Sequence, residues 1–194
     1  MQRLLNEIRC CTVCKEHLPN LPRPIVRASV DSQILIIGQA PGRKVHESGI
    51  PWDDLSGDTL RKWLGLTKAE FYDEHKIAII PTGFCYPGKG KSGDLPPRPE
   101  CAPLWHPPLL KMMSHVKMTL LIGRYAQSYY LKEDAGSTLT ETVRNFREFL
   151  PRYFPLPHPS PRNRIWMKRN SWFEDEVLTS LQQAVTRILE RPQP

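Results

Sequence analysis

Four apolar residues, Ile34-Leu35-Ile36-Ile37, run straight into Gly38-Gln39-Ala40-Pro41-Gly42, and this junction constrains the fold more than any other stretch of the chain. An unbroken apolar run, without polar alternation, predicts a strand covered on both faces, as at the centre of a parallel α/β sheet. In such sheets ligands bind beyond the carboxyl ends of the strands. Gly38 and Gly42 carry no Cβ, so the backbone there can approach a ligand closely, and Pro41 stiffens the turn between them. Taken alone, the stretch also fits an ordinary strand-to-loop turn.

The pattern recurs. Ile77-Ala78-Ile79-Ile80 predicts a second buried strand opening into a Gly/Pro-rich loop, 81–99, and Met118–Ile122 predicts a third that ends at Gly123. Phe154–Asn163 is too rich in proline to lie inside a sheet except at its first residues. Helices are expected between the strands. Asp58 is positioned to cap one starting at Thr59, and Thr67 with Glu70 has capping-box spacing. Pro103–Val116, Arg124–Leu131 and Thr138–Phe149 read as further helices, and Glu174–Leu189 as a C-terminal amphipathic one. Leu18–Arg27 reads as an extended arm, and Arg43–Gly57 as a long polar loop carrying His46, Glu47, Trp52, Asp53 and Asp54. Alternating strands and helices predict a three-layer α/β/α sandwich around a mainly parallel four-stranded sheet. At 194 residues this is one domain, 1–194, with a frayed tail at 191–194.

A formal net charge of +7 points to a polyanionic partner. No run approaches the roughly 20 apolar residues of a membrane helix, and the N-terminus lacks a signal-peptide core, so a cytoplasmic monomer is expected. In that reducing compartment five cysteines are not a disulfide framework. Cys10 or Cys11 with Cys14 makes a clip able to hold a metal, and Cys85 and Cys101 follow much later. Scattered structural thiols are the plainer alternative.

Three of these segments together resemble the uracil-DNA glycosylase superfamily. GQAPG at 38–42 resembles its first motif. HPSPRN at 158–163 resembles its second, as it reads in the single-strand-selective monofunctional branch. Cys11-x2-Cys14, then Cys85, then fifteen intervening residues to Cys101, is similar to the ligand spacing of the iron-sulfur branch. So is Gly49-x-Pro51-Trp52, where that branch places the aromatic that stacks on the base. The resemblance extends over roughly residues 10–185. It implies a DNA glycosylase that flips a deaminated base, uracil first, out of DNA and hydrolyses its N-glycosidic bond.

It also implies roles. His158 would donate to the carbonyl of the leaving base. Trp52 would stack on that base, and Gln39, Ala40 and Thr82 would border its pocket. Ser160, Arg162 and Asn163 would pinch phosphates and wedge the duplex. Cys11, Cys14, Cys85 and Cys101 would hold a [4Fe-4S] cluster, zinc or no metal being what four thiols leave open. That cluster would set Lys89, Lys91 and Arg98 against the DNA backbone, with Cys10 a bystander able to replace Cys11.

The sequence departs from the resemblance twice. Ala40 stands where most of the superfamily has Asp or Asn, and Gln39 where the iron-sulfur branch has Glu. An amide cannot serve as a general base, so Asp53, Asp54, Glu47 and His46 become substitutes, with Gln39 left to position a water. Pro81 stands where that branch has the Asn that reads the uracil edge, which leaves Thr82 or nearby backbone to do so. These departures keep other readings in play: a glycosylase for hypoxanthine or xanthine, a DNA-binding module without efficient catalysis, or, last, a hydrolase of free nucleosides.

Overall fold

A computed structural model describes residues 1–190; the predicted frayed tail lies outside the described residues. The strands in chain order are β1 (Ile34–Ile37), β2 (Ile77–Ile79), β3 (Lys89–Gly90), β4 (Gly93–Asp94), β5 (Met118–Ile122) and β6 (Tyr153–Leu156). β2, β1, β5 and β6 lie side by side in that order, all parallel, while β3 and β4 form a separate antiparallel hairpin. Proline does reach into the sheet at Pro155, but only on the edge strand β6, where a missing N–H costs no ladder bond on the open side.

The helices are α1 (Gln2–Arg9), α2 (Arg43–Ser48), α3 (Leu55–Leu64), α4 (Lys68–Phe71), α5 (Cys101–Lys111), α6 (Gly123–Leu131), α7 (Leu139–Arg144), α8 (Arg164–Arg169) and α9 (Thr179–Leu189). Successive β1 side chains point to opposite faces, so the two cores can be read from its alternation. Ile34 and Ile36 pack with Leu60, Leu64, Phe71, Val143 and Leu181 on one side; Leu35 and Ile37 pack with Leu5, Ile8, Leu109 and Ala126 on the other. The result is the expected three-layer α/β/α sandwich. Among the described residues no helix is long and apolar enough to cross a membrane.

Several boundaries differ from expectation. The first half of the supposed loop at 43–57 is α2, held down by buried Val45. α3 starts a turn earlier than predicted because Asp54, not Asp58, is its cap: the Asp54 carboxylate accepts from the Gly57 N–H at 2.9 Å, while Asp58 pairs with Arg61 at 2.6 Å. α5 begins at Cys101 and stops at Lys111, short of Val116. The helix expected over 138–149 breaks at Asn145 into a 3-10 turn, Phe146–Phe149, and α9 is preceded by a π-helical turn, Phe173–Leu178.

The arm is not laid loosely on the surface. Ile25, Val26 and Ala28 are buried, and Arg27 exchanges two backbone hydrogen bonds with Ile79 at 3.0 and 2.7 Å. One residue pair of antiparallel pairing thus covers the outer edge of β2.

Candidate active site

β1, β2 and β6 all end on one cleft of about 410 Å3, walled by the Gly38–Gly42 turn, Pro81, Trp52 and His158. The turn is fastened to the end of β2 by backbone bonds, Thr82 N–H to the Gly38 carbonyl at 2.9 Å and Gly83 N–H to the Gln39 carbonyl at 2.8 Å. A volume of this order is that of small-ligand sites.

Trp52 is held in an uncommon state. Its φ of 58° lies in the left-handed region, which costs a bulky residue on the order of 1–3 kcal/mol and persists only where the surroundings impose it. Here they do. The Tyr72 hydroxyl donates to the Pro51 carbonyl at 2.9 Å and the Arg61 guanidinium to the Trp52 carbonyl at 3.3 Å. Arg61 is buried, steadied by Asp58 and by the rings of Phe71 and Tyr72. Two glycines complete the setting. A Cβ on Gly38 would come 3.1 Å from the edge of the Trp52 ring, and one on Gly57 only 1.7 Å from the Trp52 carbonyl oxygen.

Opposite the turn, the His158 ring lies 5.6 Å from the Trp52 ring, tilted by 33°. Burial holds the His158 pKa below the usual histidine value, with the Asp54 carboxylate pulling the other way. The imidazole is therefore neutral at pH 7 and able to donate through one nitrogen. Its loop is self-braced: Asn163 donates to the His158 carbonyl at 2.7 Å, and the Ser160 hydroxyl accepts from the Arg162 N–H at 3.3 Å.

The family model of the uracil DNA glycosylase superfamily matches residues 26–182, which includes every residue that lines this cleft except Ile25. The chain belongs to that superfamily. Among solved structures it is similar to the solution NMR structure of a candidate uracil DNA glycosylase from Methanosarcina acetivorans, at 17% identity and a TM-score of 0.46, over 81% of this chain and 93% of that one.

Against the superfamily motifs, the structure brings together Gln39, Ala40, Trp52, His158, Ser160 and Asn163 on the cleft. It does not bring Asp53, which turns outward to Lys68 at 3.8 Å because its neighbour Asp54 takes the helix cap. Glu47 pairs with Arg43 at 3.6 Å, and the His46 ring packs on Tyr86. Of the substitutes for the motif carboxylate, Asp54 alone lines the cleft. Thr82 is absent from the cleft wall: its buried hydroxyl donates to the Gln39 carbonyl at 2.6 Å, and so it clamps the first motif. Arg98 forms a bidentate pair with Glu100 and borders the cysteine cavity, and it does not line the cleft. Arg162 spends one N–H on the Ser92 carbonyl at 3.0 Å. Lys89 and Lys91 stay exposed on the β3–β4 hairpin.

One cleft residue escaped the sequence reading. Asp94, at the end of β4, lines the cleft. Its signal was present: it is the only acid in the cationic loop 81–99, directly after a hairpin turn bracketed by Gly90 and Gly93.

Cys11, Cys14, Cys85 and Cys101 line one small cavity, walled also by Leu18, Phe84 and Trp105. Residues 74 positions apart in sequence, Cys11 and Cys85, meet here because the arm folds back along the 81–101 loop. Among the described residues, no three His, Cys, Asp or Glu side chains converge closely enough to hold a single ion. Burial pushes the Cys85 thiol up to about 11 and the Cys101 thiol up to about 12. Both are protonated at pH 7, so any metal must displace protons to bind.

Proposed function

We propose that this protein is a monofunctional DNA glycosylase that removes a deaminated base, uracil first, by hydrolysis. The juxtaposition of Trp52 and His158 across the Gly38–Gly42 turn carries the reading, because it offers a stacking face and a neutral donor to one flipped base. Extrusion of a base costs a few kcal/mol, and stacking on an aromatic returns about 1–3 kcal/mol. As the glycosidic bond stretches, negative charge gathers on the base carbonyl, where the His158 N–H strengthens its hydrogen bond. The exposed Lys89 and Lys91 and the net charge of +7 favour a phosphate backbone alongside.

The test is alkaline strand scission after incubation with oligonucleotides carrying uracil, hypoxanthine or xanthine, single-stranded and paired. Scission at a lesion supports the glycosylase and names the base. Salt-sensitive DNA binding without scission on any of them would instead support the non-catalytic binding module, which Ala40 in place of the motif carboxylate favours.

The four cysteines fit a [4Fe-4S] cluster in kind and number, since all four residues line one cavity walled largely by apolar side chains. Four thiolates also suit zinc. Bound there, the cluster would act as a structural crosslink between the N-terminal clip and the 81–101 loop. Anaerobically purified protein is expected to be brown with iron and sulfide in equal amounts. Cys14→Ser and Cys101→Ser are expected to be colourless and to melt lower. Full iron content in either variant would overturn this ligand set, and zinc in the wild type would replace the cluster.

A further inference from the structure

We propose that Asp94 is the general base that activates the attacking water, supplied to the first-motif turn by the β3–β4 hairpin in place of the carboxylate the motif lacks. The inference rests on the glycosylase reading above. Its starting point is position: an Asp94 carboxylate oxygen lies 3.3 Å from where a Cβ on Gly42 would stand. The carboxylate thus abuts the turn that carries Gln39 and Ala40, from which a general base is missing.

The hairpin is built to hold it there. Leu95 N–H donates to the Gly88 carbonyl at 2.8 Å, and Arg162 donates to the Ser92 carbonyl at 3.0 Å, tying the hairpin to the His158 loop. Tyr86 lies beside Asp94, and its phenol favours the charged carboxylate. The charged groups facing Asp94 are Arg162 from the second-motif loop and Asp54 from the start of α3, and behind Tyr86 stand Arg43 and Glu47 of α2. Asp94 is exposed overall, but partial desolvation of its carboxylate, with the Asp54 charge, outweighs Arg162 and Tyr86 and raises its pKa above that of an ordinary aspartate. That makes it the better base near neutrality. Asp54 is the weaker candidate because its carboxylate already accepts the α3 cap bond from Gly57.

The reaction balances without a further reagent. The C1′–N bond breaks and its electron pair leaves on the base, which His158 stabilises. Water oxygen bonds to C1′ while Asp94 takes one water proton. That proton then passes to the departed base anion through solvent, which restores the carboxylate and leaves a C1′ hydroxyl.

The experiment compares single-turnover base release by full-length wild type, Asp94→Asn and Asp54→Asn across pH, on the uracil, hypoxanthine and xanthine oligonucleotides. Loss of a general base costs about a hundredfold or more. Asp94→Asn should show that loss and no acidic limb, with DNA affinity and melting temperature kept. Asp54→Asn, still able to cap α3, should retain the limb whatever its rate. A wild-type rate and limb in Asp94→Asn would overturn Asp94 while leaving the glycosylase in place. So would a slow Asp94→Asn that keeps its limb, since that marks a structural role. A wild type silent on all three lesions would overturn the glycosylase and Asp94 with it.

Discussion

Replacing His158 by alanine is expected to slow base release by about 10²–10³-fold, the usual cost of removing one preorganised donor from a developing oxyanion. DNA affinity should be nearly unchanged, because the ring sits in the base cleft and not on the cationic hairpin. The ring also packs against Trp52, with centroids 5.6 Å apart, so alanine removes packing as well as a donor. His158→Phe separates the two. It keeps a ring beside Trp52 but has no N–H, and it should be as slow as alanine. Single-turnover rates with matched binding curves decide: a phenylalanine variant near the wild-type rate would reduce His158 to a packing residue.

The second large effect is expected at Gly57. In a helix interior alanine is favoured over glycine by up to about 1 kcal/mol, so propensity alone would make Gly57→Ala stabilising. The new methyl, however, would fall 1.7 Å from the Trp52 carbonyl oxygen, a backbone atom that cannot swing aside. Overpacking of this kind costs about 1–3 kcal/mol or more, and the clash should win. Melting should fall by roughly 3–8 °C for a chain of this size. Activity should fall further than stability, because relief requires Trp52 to leave the position that Arg61 and Tyr72 impose. Gly38→Ala should be milder: its methyl meets only the edge of a side-chain ring at 3.1 Å. Equal melting and equal rates in wild type and Gly57→Ala would remove the claim that this glycine permits the Trp52 turn.

The sheet was legible because burial on both faces leaves a mark that needs no context. Ile34–Ile37 is apolar throughout and Met118–Ile122 is apolar but for Thr119, and both are fully buried strands. His158 and Trp52 were legible through motifs whose order along the chain matches strand ends that the fold brings together. The carboxylates were not. Asp53, Asp54 and Asp58 offer three similar side chains within one turn and a half, and which one caps α3 depends on backbone angles that local spacing does not encode. Asp94 and Gly42 are 52 residues apart, and only the packing of a hairpin on a turn makes them neighbours. Arg98 read as a DNA contact because a cation in a loop looks unengaged until its partner is known. That partner, Glu100, is two residues away.

The two backbone bonds between Arg27 and Ile79 also bear on how the protein fails. β2 is the outermost strand on its side of the sheet, short, apolar and without a charged side chain of its own. An uncovered strand of this kind is a template for pairing with another chain. The arm that covers it is anchored at its other end beside the cysteine cavity, where Leu18, Pro22 and Pro24 pack. Whatever loosens that anchorage, whether oxidation of the thiols or clipping of the exposed chain near Leu21, bares the edge of β2. The damaged molecule is then expected to self-associate before it unfolds, with loss from solution preceding any change in its helical content.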